Sequence, residues 1–472
     1  MLEHVTRAAV VSLKKARFIG TLVGAASLIS AAPVRAQSIL DESGRIPGVP
    51  EPSIASSLPK ELADPGGMRS RLARTGIMFG LNYIGETLAN PTGGFKQGGY
   101  YDGRLELVLA ADLEKLIGWK GLSFFTNGYQ IHGESITEQN LGALMPVSFI
   151  EAISSTRLFE IWLEQKLWDD KLSIRFGELA ADSEFMVSEG SGAFMNGTWG
   201  WPLIAAANMP QGGPAYPLPT PGMRIAYAPS DQLRFMTGVY DGRSAGDCAD
   251  DENPQVCNLY GPDFAIDDPA LWLFESAFSY NQRENELAGT IKIGGWRNHG
   301  NFPHERFDEF GGETAITHNH PVALNGDYGF YGIIDQMIYR IPGKGNPKGV
   351  SLLGRVITAP EDRNSVSLYW EAGLILNGLA KSRPDDILGI GYARTIISND
   401  LVAARAAMGE SIIPSYEAVF EASYTAQVVP GFILQPDFQY FWNPGAHAPD
   451  PNDPAKAIPN AAVLGLRAMV NY

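Results

Sequence analysis

Charged and aromatic side chains occupy alternate positions within residues 157–178, and their spacing limits the chemistry they could perform. Glu160, Trp162 and Glu164 fall on one face of an extended chain. The two carboxylates would lie about 13 Å apart, whereas a glycosidase holds its paired acids within roughly 10 Å of each other. A row of acids and rings can instead make weak, repeated contacts with a polar solute in transit. The spacing therefore favours a polar lining over a hydrolytic pair.

The same residues predict a β-hairpin. Phe159, Ile161 and Leu163 form an apolar face opposite the polar one, and the alternation resumes after the Asp169–Lys171 turn. A period of two is the signature of strands, here two strands of about ten residues each. The apolar face could meet the core of a soluble sandwich. It could equally meet lipid, if the charged face lined the lumen of an outer-membrane barrel.

The connections along the rest of the chain distinguish these two architectures. The alternation continues in segments that total sixteen predicted strands, and short connections such as Pro229–Asp231 alternate with long ones such as Ala180–Pro219 and Arg297–Asp327. Outer-membrane barrels have this rhythm, with short periplasmic turns and long extracellular loops. The sequence therefore predicts an all-β fold: a sixteen-stranded antiparallel transmembrane β-barrel over residues 76–472.

The first 75 residues predict export followed by a linker. Residues 1–36 combine a basic region around Lys14 and Arg17 with an apolar stretch and a small-x-small cleavage site ending at Ala36, which is typical of a signal peptide. A short amphipathic helix is the alternative. Residues 37–75 begin rich in Pro, Ser and Gly and predict an N-terminal periplasmic tether that ends in a short helix. Export and a barrel together predict integral location in the outer membrane of a Gram-negative bacterium.

Composition excludes several classes of protein. The 472-residue chain has a mean hydropathy of −0.08, and no apolar run beyond the N-terminus reaches the roughly 20 residues of a spanning helix. Loss of residues 1–36 would remove one acidic and five basic residues, a net charge of +4, and so change the total from −16 to −20. A chain this acidic is a poor partner for nucleic acids and for polyanions. Neutral solutes remain compatible with it.

The last strand carries a signal of its own. Leu464, Leu466, Ala468 and Val470 alternate along it, and the chain ends on the aromatic Tyr472. This pattern predicts recognition by the outer-membrane assembly machinery. Aromatic residues also recur near other strand ends, as they do in the interfacial girdles of barrels. Outer-membrane lipid and lipopolysaccharide are therefore the expected surroundings.

The cysteines and histidines offer little chemistry. Cys248 and Cys257 lie nine residues apart in an acidic stretch and predict a disulfide after export, with free thiols or a metal site as weaker alternatives. His318 and His320 stand in a polar loop, and the sequence contains no G-x-S-x-G motif. We expect no enzyme activity, no catalytic residue, no cofactor and no metal.

Short motifs recur in a characteristic order from Gly66 to the C-terminus. They include G-G-M-R-S-R-L-A-R-T-G-I from Gly66, D-L-E-K-L-I-G-W-K-G from Asp112, Y-P-L-P-T-P-G-M-R from Tyr216 and L-Q-P-D-F-Q-Y-F-W-N-P-G from Leu434. In this order they resemble the carbohydrate-selective porins, the OprB family. The resemblance implies a sixteen-stranded barrel that passes mono- and oligosaccharides by diffusion, with small neutral sugars as solutes. A monomer and a homotrimer both remain open.

Strand parity assigns a set of polar residues to the interior of this barrel. Sixteen strands leave a water-filled lumen, and acids, arginines and amides together could exchange hydrogen bonds with sugar hydroxyls. Each residue could equally belong to an ion pair that stabilises the wall. The predicted pore-lining residues are Arg104, Glu106, Glu160, Trp162, Glu164, Arg175, Arg224, Arg234, Arg355, Glu371, Glu417, Glu421, Gln435, Asp437 and Gln439.

The loop Ala180–Pro219 is the predicted constriction, by analogy with trimeric general porins, in which the loop after the fifth strand narrows the lumen. It carries four aromatic residues whose rings could stack on sugar faces, although a surface loop packed on its neighbours is the alternative. These residues are Phe185, Phe194, Trp199 and Trp201.

The predicted function is passive, carbohydrate-selective diffusion through the outer membrane. A general diffusion porin is one alternative, and a barrel with a surface role, as an adhesin or a hydrolase, is another. A phosphate-selective pore would need a basic constriction, whereas carboxylates are at least as numerous as arginines among the predicted lining residues.

Overall fold

The computed structural model of the protein describes residues 46–249, 252–343 and 348–472. The predicted signal peptide, residues 1–36, lies outside these residues, as do residues 37–45 of the predicted tether. Across the described ranges, no helix is both long enough and apolar enough to cross a membrane.

Sixteen antiparallel strands of the described residues close into one barrel, which confirms the predicted fold. Neighbours in sequence are neighbours in the sheet, and the first strand pairs with the last to close it. The barrel strands are β1 Ile77–Thr92, β2 Gly98–Asp112, β3 Leu122–Gly133, β4 Ser155–Leu167, β5 Leu172–Leu179, β6 Thr220–Tyr227, β7 Leu233–Tyr240, β8 Leu271–Tyr280, β9 Gly289–Asp308, β10 Pro321–Arg340, β11 Gly349–Thr358, β12 Val366–Asn377, β13 Ile387–Ile397, β14 Tyr416–Val429, β15 Phe432–Trp442 and β18 Ala461–Asn471.

The connections carry the remaining elements. A small hairpin of β16 (Pro449–Asp450) and β17 (Asp453–Ala457) lies in the last loop. The short helices are Lys60–Ala63, Met68–Thr75, Leu113–Ile117, Leu203–Asn208, Pro254–Cys257, Thr314–Thr317, Asn399–Ala407 and Pro444–His447, and tighter or wider helical turns occur at Ile54–Ser57, Pro65–Gly67, Thr137–Leu141, Ala181–Ser183, Glu189–Ala193, Gly197–Trp199 and Pro210–Gly212.

The strands separate an apolar outer face from a polar interior. In β2, Leu107 is 56% exposed, whereas its neighbours Glu106 and Val108 are 1% exposed. Successive side chains of a strand point to opposite faces of the sheet, so the leucines face the surrounding lipid while the acid faces inward. The interior polar residues are buried because loops fill much of the barrel.

The prediction that Phe159 lies on the apolar face of its strand, opposite Glu160, is wrong. In the β3–β4 pairing, Phe159 and Glu160 of β4 lie opposite the single residue Asn127 of β3, so β4 carries a β-bulge here. Phe159 is consequently buried, with its ring centroid 4.9 Å from that of Tyr129. The side chain of Asn127 accepts the Glu160 backbone N–H at 2.9 Å. Because a bulge adds one residue to one strand, Phe159 and Glu160 are both buried on the lumen side.

The predicted long loop Arg297–Asp327 is also wrong. β9 continues to Asp308 and β10 begins at Pro321, so the two form a hairpin that extends beyond the neighbouring strands. The ladder needs only backbone hydrogen bonds, and outside the membrane it needs no apolar face. This stretch therefore lacks the alternation from which strands are recognised in a sequence.

The described part of the predicted tether is folded against the barrel rim. The Tyr472 hydroxyl donates to the Leu62 carbonyl at 2.7 Å. The guanidinium of Arg69 lies 4.9 Å from the centre of the Tyr472 ring and 5.0 Å from that of Phe79, and its Nε donates to the Gly48 carbonyl at 2.8 Å. Residues 46–75 therefore cover the seam where the first and last strands meet.

Candidate functional site: the lumen and its inner loops

The loop between β5 and β6, residues 180–219 and called the inner loop below, folds into the barrel. The carboxylate of Glu421 on β14 accepts the backbone N–H of Met195 and the indole N–H of Trp199, the latter at 2.8 Å. Arg355 on β11 donates to the Trp199 carbonyl at 3.0 Å. Both wall residues face inward and are buried, so they hold the loop across the lumen.

A second set of contacts fixes the first half of the inner loop against β8–β10. Asp335 accepts the Ser188 hydroxyl and, at 3.1 Å, the Glu189 backbone N–H. The Lys292 ammonium donates to the Val187 carbonyl at 2.8 Å. Charged wall residues thus satisfy loop backbone groups that no strand pairs with, as buried backbone groups require.

The inner-loop aromatics pack on the wall, which corrects the expectation that they stack on sugars. Phe194 and Trp199 are stacked with ring centroids 4.1 Å apart and are 3% and 1% exposed. They lie against glycines of the inner wall, because a Cβ at Gly391 would stand 2.5 Å from Trp199. Phe185 is fully buried as well, while Trp201 is half-buried and donates its indole N–H to a loop carbonyl.

A second loop, residues 134–154, also enters the lumen, and the sequence did not single it out. Glu417 on β14 accepts the backbone N–H groups of Leu144 at 2.8 Å and Met145 at 2.7 Å. Gln439 on β15 donates to the Val147 carbonyl at 2.8 Å. The only sequence feature that could have indicated this loop is the pair of inward acids on β14. Several loops could have supplied their hydrogen-bond donors, so the sequence did not identify which loop enters the lumen.

Most of the predicted pore-lining residues therefore lie beneath these loops. They are buried, and they contact loop atoms, each other or, for Glu106, the neighbouring wall residue Asn127. This group comprises Arg104, Glu106, Glu160, Arg355, Glu371, Glu417, Glu421, Gln435, Asp437 and Gln439.

Three of the remaining predicted residues, Glu164, Arg175 and Arg224 of the β4–β6 wall, meet Glu184 of the inner loop, which the sequence did not single out. The four residues form a charged cluster. Arg224 lies 2.9 Å from Glu164 and 2.8 Å from Glu184, and Arg175 lies 3.6 Å and 3.4 Å from the same two acids. The Arg175 guanidinium stacks 3.9 Å above the ring of Trp162. The cluster holds two acids and two arginines, so its formal charge is balanced.

Comparison with known proteins identifies the family. The family described as "Carbohydrate-selective porin, OprB family" matches residues 96–472. The chain belongs to this family. Porin B of Pseudomonas aeruginosa strain PAO1 is 24% identical over 439 residues, which cover 86% of this chain and 90% of that protein.

Solved structures agree on the fold. The high-pH structure of OprB from Pseudomonas putida is 20% identical, covers 87% of this chain and 97% of its own, and superposes with a TM-score of 0.75. The low-pH structure of the same protein is 17% identical over the same shares, with a TM-score of 0.51. The protein is thus a carbohydrate-selective porin, integral to the outer membrane of a Gram-negative bacterium.

Within this porin the charged cluster is only partly open to solvent, because Glu164 and Arg224 are buried. Arg234 on β7, another predicted lining residue, is exposed. The side chains of Arg175 and Glu184 are 15% and 12% exposed. Burial opposes ionisation of Glu184, but the nearby Arg175 and Arg224 outweigh it and lower the pKa of Glu184 to about 2. The acid is therefore charged at neutral pH. Guanidinium groups carry five N–H donors each, so donors remain for a passing solute.

A disulfide lies in the loop between β7 and β8 of this porin. Cys248 and Cys257 are bonded, with Cα atoms 5.8 Å apart. Glu252 lies close to both sulfurs, but sulfurs bonded to each other offer no thiolate to a metal ion. Gln255 in the same loop accepts the Ile153 backbone N–H at 2.8 Å, so the disulfide loop braces the inward-folded residues 134–154.

Proposed function

We propose that neutral mono- and oligosaccharides cross this porin along the β4–β6 wall, past the solvent-exposed side of the charged cluster. The supporting observation is the contrast in exposure. Arg175 and Glu184 keep part of their surface open, whereas Glu371, Glu417 and Glu421 on the opposite wall are sealed beneath loops. A solute on this route meets polar groups that are already paired with each other.

The pairing explains a preference for neutral solutes. Arg224 is already ion-paired with Glu164 and Glu184. An incoming anion therefore binds the arginines only weakly, and an incoming cation binds the acids only weakly. Sugar hydroxyls both donate and accept, and can use the unfilled hydrogen-bond positions of both signs. Such contacts are weak, which allows the solute to leave.

Flux through the purified porin in liposomes tests this proposal. Glucose, a disaccharide, an amino acid of similar size to glucose and phosphate are compared. We expect glucose to enter faster than the amino acid and phosphate to be slowest. Equal rates for all small solutes would identify a general diffusion porin. The absence of any flux would contradict the proposal that the channel is open.

One variant tests whether the solute passes the charged cluster. Arg175→Gln removes a donor beside Trp162, and we expect it to lower glucose flux about threefold, as expected for loss of a hydrogen bond worth roughly 0.7 kcal/mol. Arg283→Gln, an exposed arginine in the β8–β9 turn, is the matched control and should leave flux unchanged. Equal glucose flux in both variants and the wild type would exclude a route past the charged cluster.

We also propose roles for the rest of the chain. The protein acts as a channel without enzyme activity. Glu160 accepts the backbone N–H of Ala180 in the inner loop, and Glu164 pairs with Arg224 of the wall, so the two acids do not converge on one reacting atom. Residues 1–36 direct export, and residues 37–75 stay on the periplasmic side. The final strand, which ends at Tyr472, is the segment that the outer-membrane assembly machinery recognises. Assay of purified protein for sugar hydrolysis checks the first point, and any turnover would contradict it.

A further inference from the structure

An arginine lies on the lipid-facing side of the barrel. Arg394 stands in β13 three residues before its extracellular end, and it pairs across the sheet with Trp370 of β12 and Ala418 of β14. Trp370 is 36% exposed on the outer face, whereas Glu371 beside it is buried inside. Because directly paired residues of neighbouring strands share a face, Arg394 points outward.

The charge of Arg394 is poorly satisfied within the protein. Its guanidinium stacks 3.8 Å from the centre of the Tyr416 ring. Its Nε is buried, and it has no hydrogen-bond partner among the described residues. An outward arginine costs little near the membrane interface, where lipid headgroups are within its reach, and the Tyr416 ring supplies no acceptor in the plane of the guanidinium. The residue as a whole is partly exposed, so the terminal nitrogens of the guanidinium suit an anion from outside the chain.

An apolar groove begins beside this arginine on the same outer face. In the next row of paired residues toward the periplasm, Gly354 and Ala372 are adjacent and lie between Ile334 and Tyr392. Two small residues side by side leave a depression in the wall. The cavity there has a volume of about 560 Å³. Its lining includes Leu352, Ala372, Leu374, Ile390, Tyr392 and Phe420.

The level of the site in the membrane follows from the strand direction and the aromatics. β13 rises from the connection 378–386 to the longer loop 398–415 that follows it, so Arg394 lies near the extracellular surface. The Tyr392 ring contacts Trp370 and Trp442, at 5.2 Å and 5.8 Å between centroids. Such aromatics mark the headgroup level of a membrane. The groove beneath them runs into the hydrocarbon region.

We propose that Arg394 and this groove form a binding site for lipid A, the phosphorylated acyl-chain anchor of the lipopolysaccharide in the outer leaflet. A phosphate meets the guanidinium, which suits planar, charge-assisted recognition. An acyl chain fills the groove over Ala372. The charge of the arginine and the apolar lining together match a ligand that carries an anionic head on a hydrocarbon tail.

Binding of lipid A to the delipidated porin in detergent tests the site, with native mass spectrometry as the readout. Arg394→Gln should weaken binding about tenfold, the ratio expected for one charge-assisted hydrogen bond. Ala372→Phe fills the groove without changing charge, and it should weaken binding as well. Arg283→Gln, in the periplasmic turn, is the matched control and should bind as the wild type does. Heat-modifiable migration shows that each variant is folded.

Two further probes separate the sources of the anion. Lipid A stripped of its phosphates should bind equally to the wild type and to Arg394→Gln. Phosphatidylglycerol should bind at least tenfold more weakly than lipid A, and equal affinity would overturn the assignment to lipopolysaccharide. Unchanged lipid A binding in folded Arg394→Gln would overturn the site itself. High-yield cross-linking between copies through Ala372→Cys would also overturn it, because the groove would then be a subunit contact.

Discussion

Arg224 and Glu184 form a two-point ion pair that ties the inner loop to the barrel wall. The Nε atom of Arg224 donates to one carboxylate oxygen at 2.9 Å, and a terminal nitrogen lies 2.8 Å from the other. The same guanidinium reaches Glu164 at 2.9 Å. Two parallel bonds fix both distance and orientation, so the place of this loop segment depends on the pair.

Replacing Glu184 with Gln should change the ion selectivity of the channel. The amide keeps the size of the side chain but leaves Arg175 and Arg224 with one acid between them, so the cluster gains a formal charge of +1. We expect the reversal potential in a KCl gradient across a planar bilayer to shift toward anion preference, with noisier open-channel current. Glu284→Gln makes the same charge change in the exposed β8–β9 turn. An equal shift in both variants would contradict a role for the cluster.

Acid should release the same contact over a defined pH range. The pKa of Glu184 is lowered from 4.5 to about 2, so the folded state holds this proton more weakly than the unfolded chain does. The stabilisation is present in full above pH 4.5 and is lost as the pH falls through about 2. Current noise of the wild type should therefore rise between pH 4.5 and 2. Glu184→Gln should be noisy throughout and lack this transition; if it shows the same transition, another group titrates.

Gly391→Ala should displace the aromatic pair of the inner loop. The added Cβ would lie 2.5 Å from Trp199 and 2.9 Å from Phe194, and overpacking of this kind costs about 1–3 kcal/mol. We expect faster disaccharide entry relative to glucose, and altered tryptophan fluorescence. Gly332→Ala is the matched control in β10, because its Cβ meets no atom nearer than 4.0 Å. Wild-type fluorescence and flux ratios in Gly391→Ala would show that the loop does not depend on this contact.

Arg69→Gln should weaken the closure of the barrel seam. The change removes stacking on Phe79 and Tyr472, worth about 1–2 kcal/mol for two partly buried rings, and disturbs the bond to Gly48. The heat-modifiable band should unfold at a lower temperature by several degrees. Arg71→Gln removes an exposed arginine of the same helix and should leave that temperature unchanged. Equal unfolding temperatures for the two variants would contradict the role of Arg69.

The strands were predictable because their signal is local. The pattern at Leu105, Glu106 and Leu107 predicts both the strand and its faces, since the pleat repeats every two residues. The prediction failed at Phe159, where a bulge adds a residue that no pattern announces. It failed again beyond Arg297, where the β9–β10 hairpin continues outside the lipid and needs no apolar face.

The inner contacts were not predictable because their partners lie far apart in sequence. Glu421 could be placed in the lumen from parity, yet its acceptor role toward Met195 spans 226 residues. The inner-loop aromatics looked available to a solute, but the flat glycine surface that receives them comes from β12 and β13. Only the closed barrel brings these strands opposite the loop.

By itself, the sequence determined the strand number, the lipid-facing and lumen-facing sides, and the family resemblance, because alternation and short motifs are properties of neighbouring residues. The tertiary structure decided which inward charges hold loops and which stay open to a solute. The physical reason is that a buried carboxylate takes whichever donors the fold brings within hydrogen-bond distance. For Glu417 and Glu421 these are loop N–H groups, and for Glu164 and Glu184 they are arginines at the open side of the lumen.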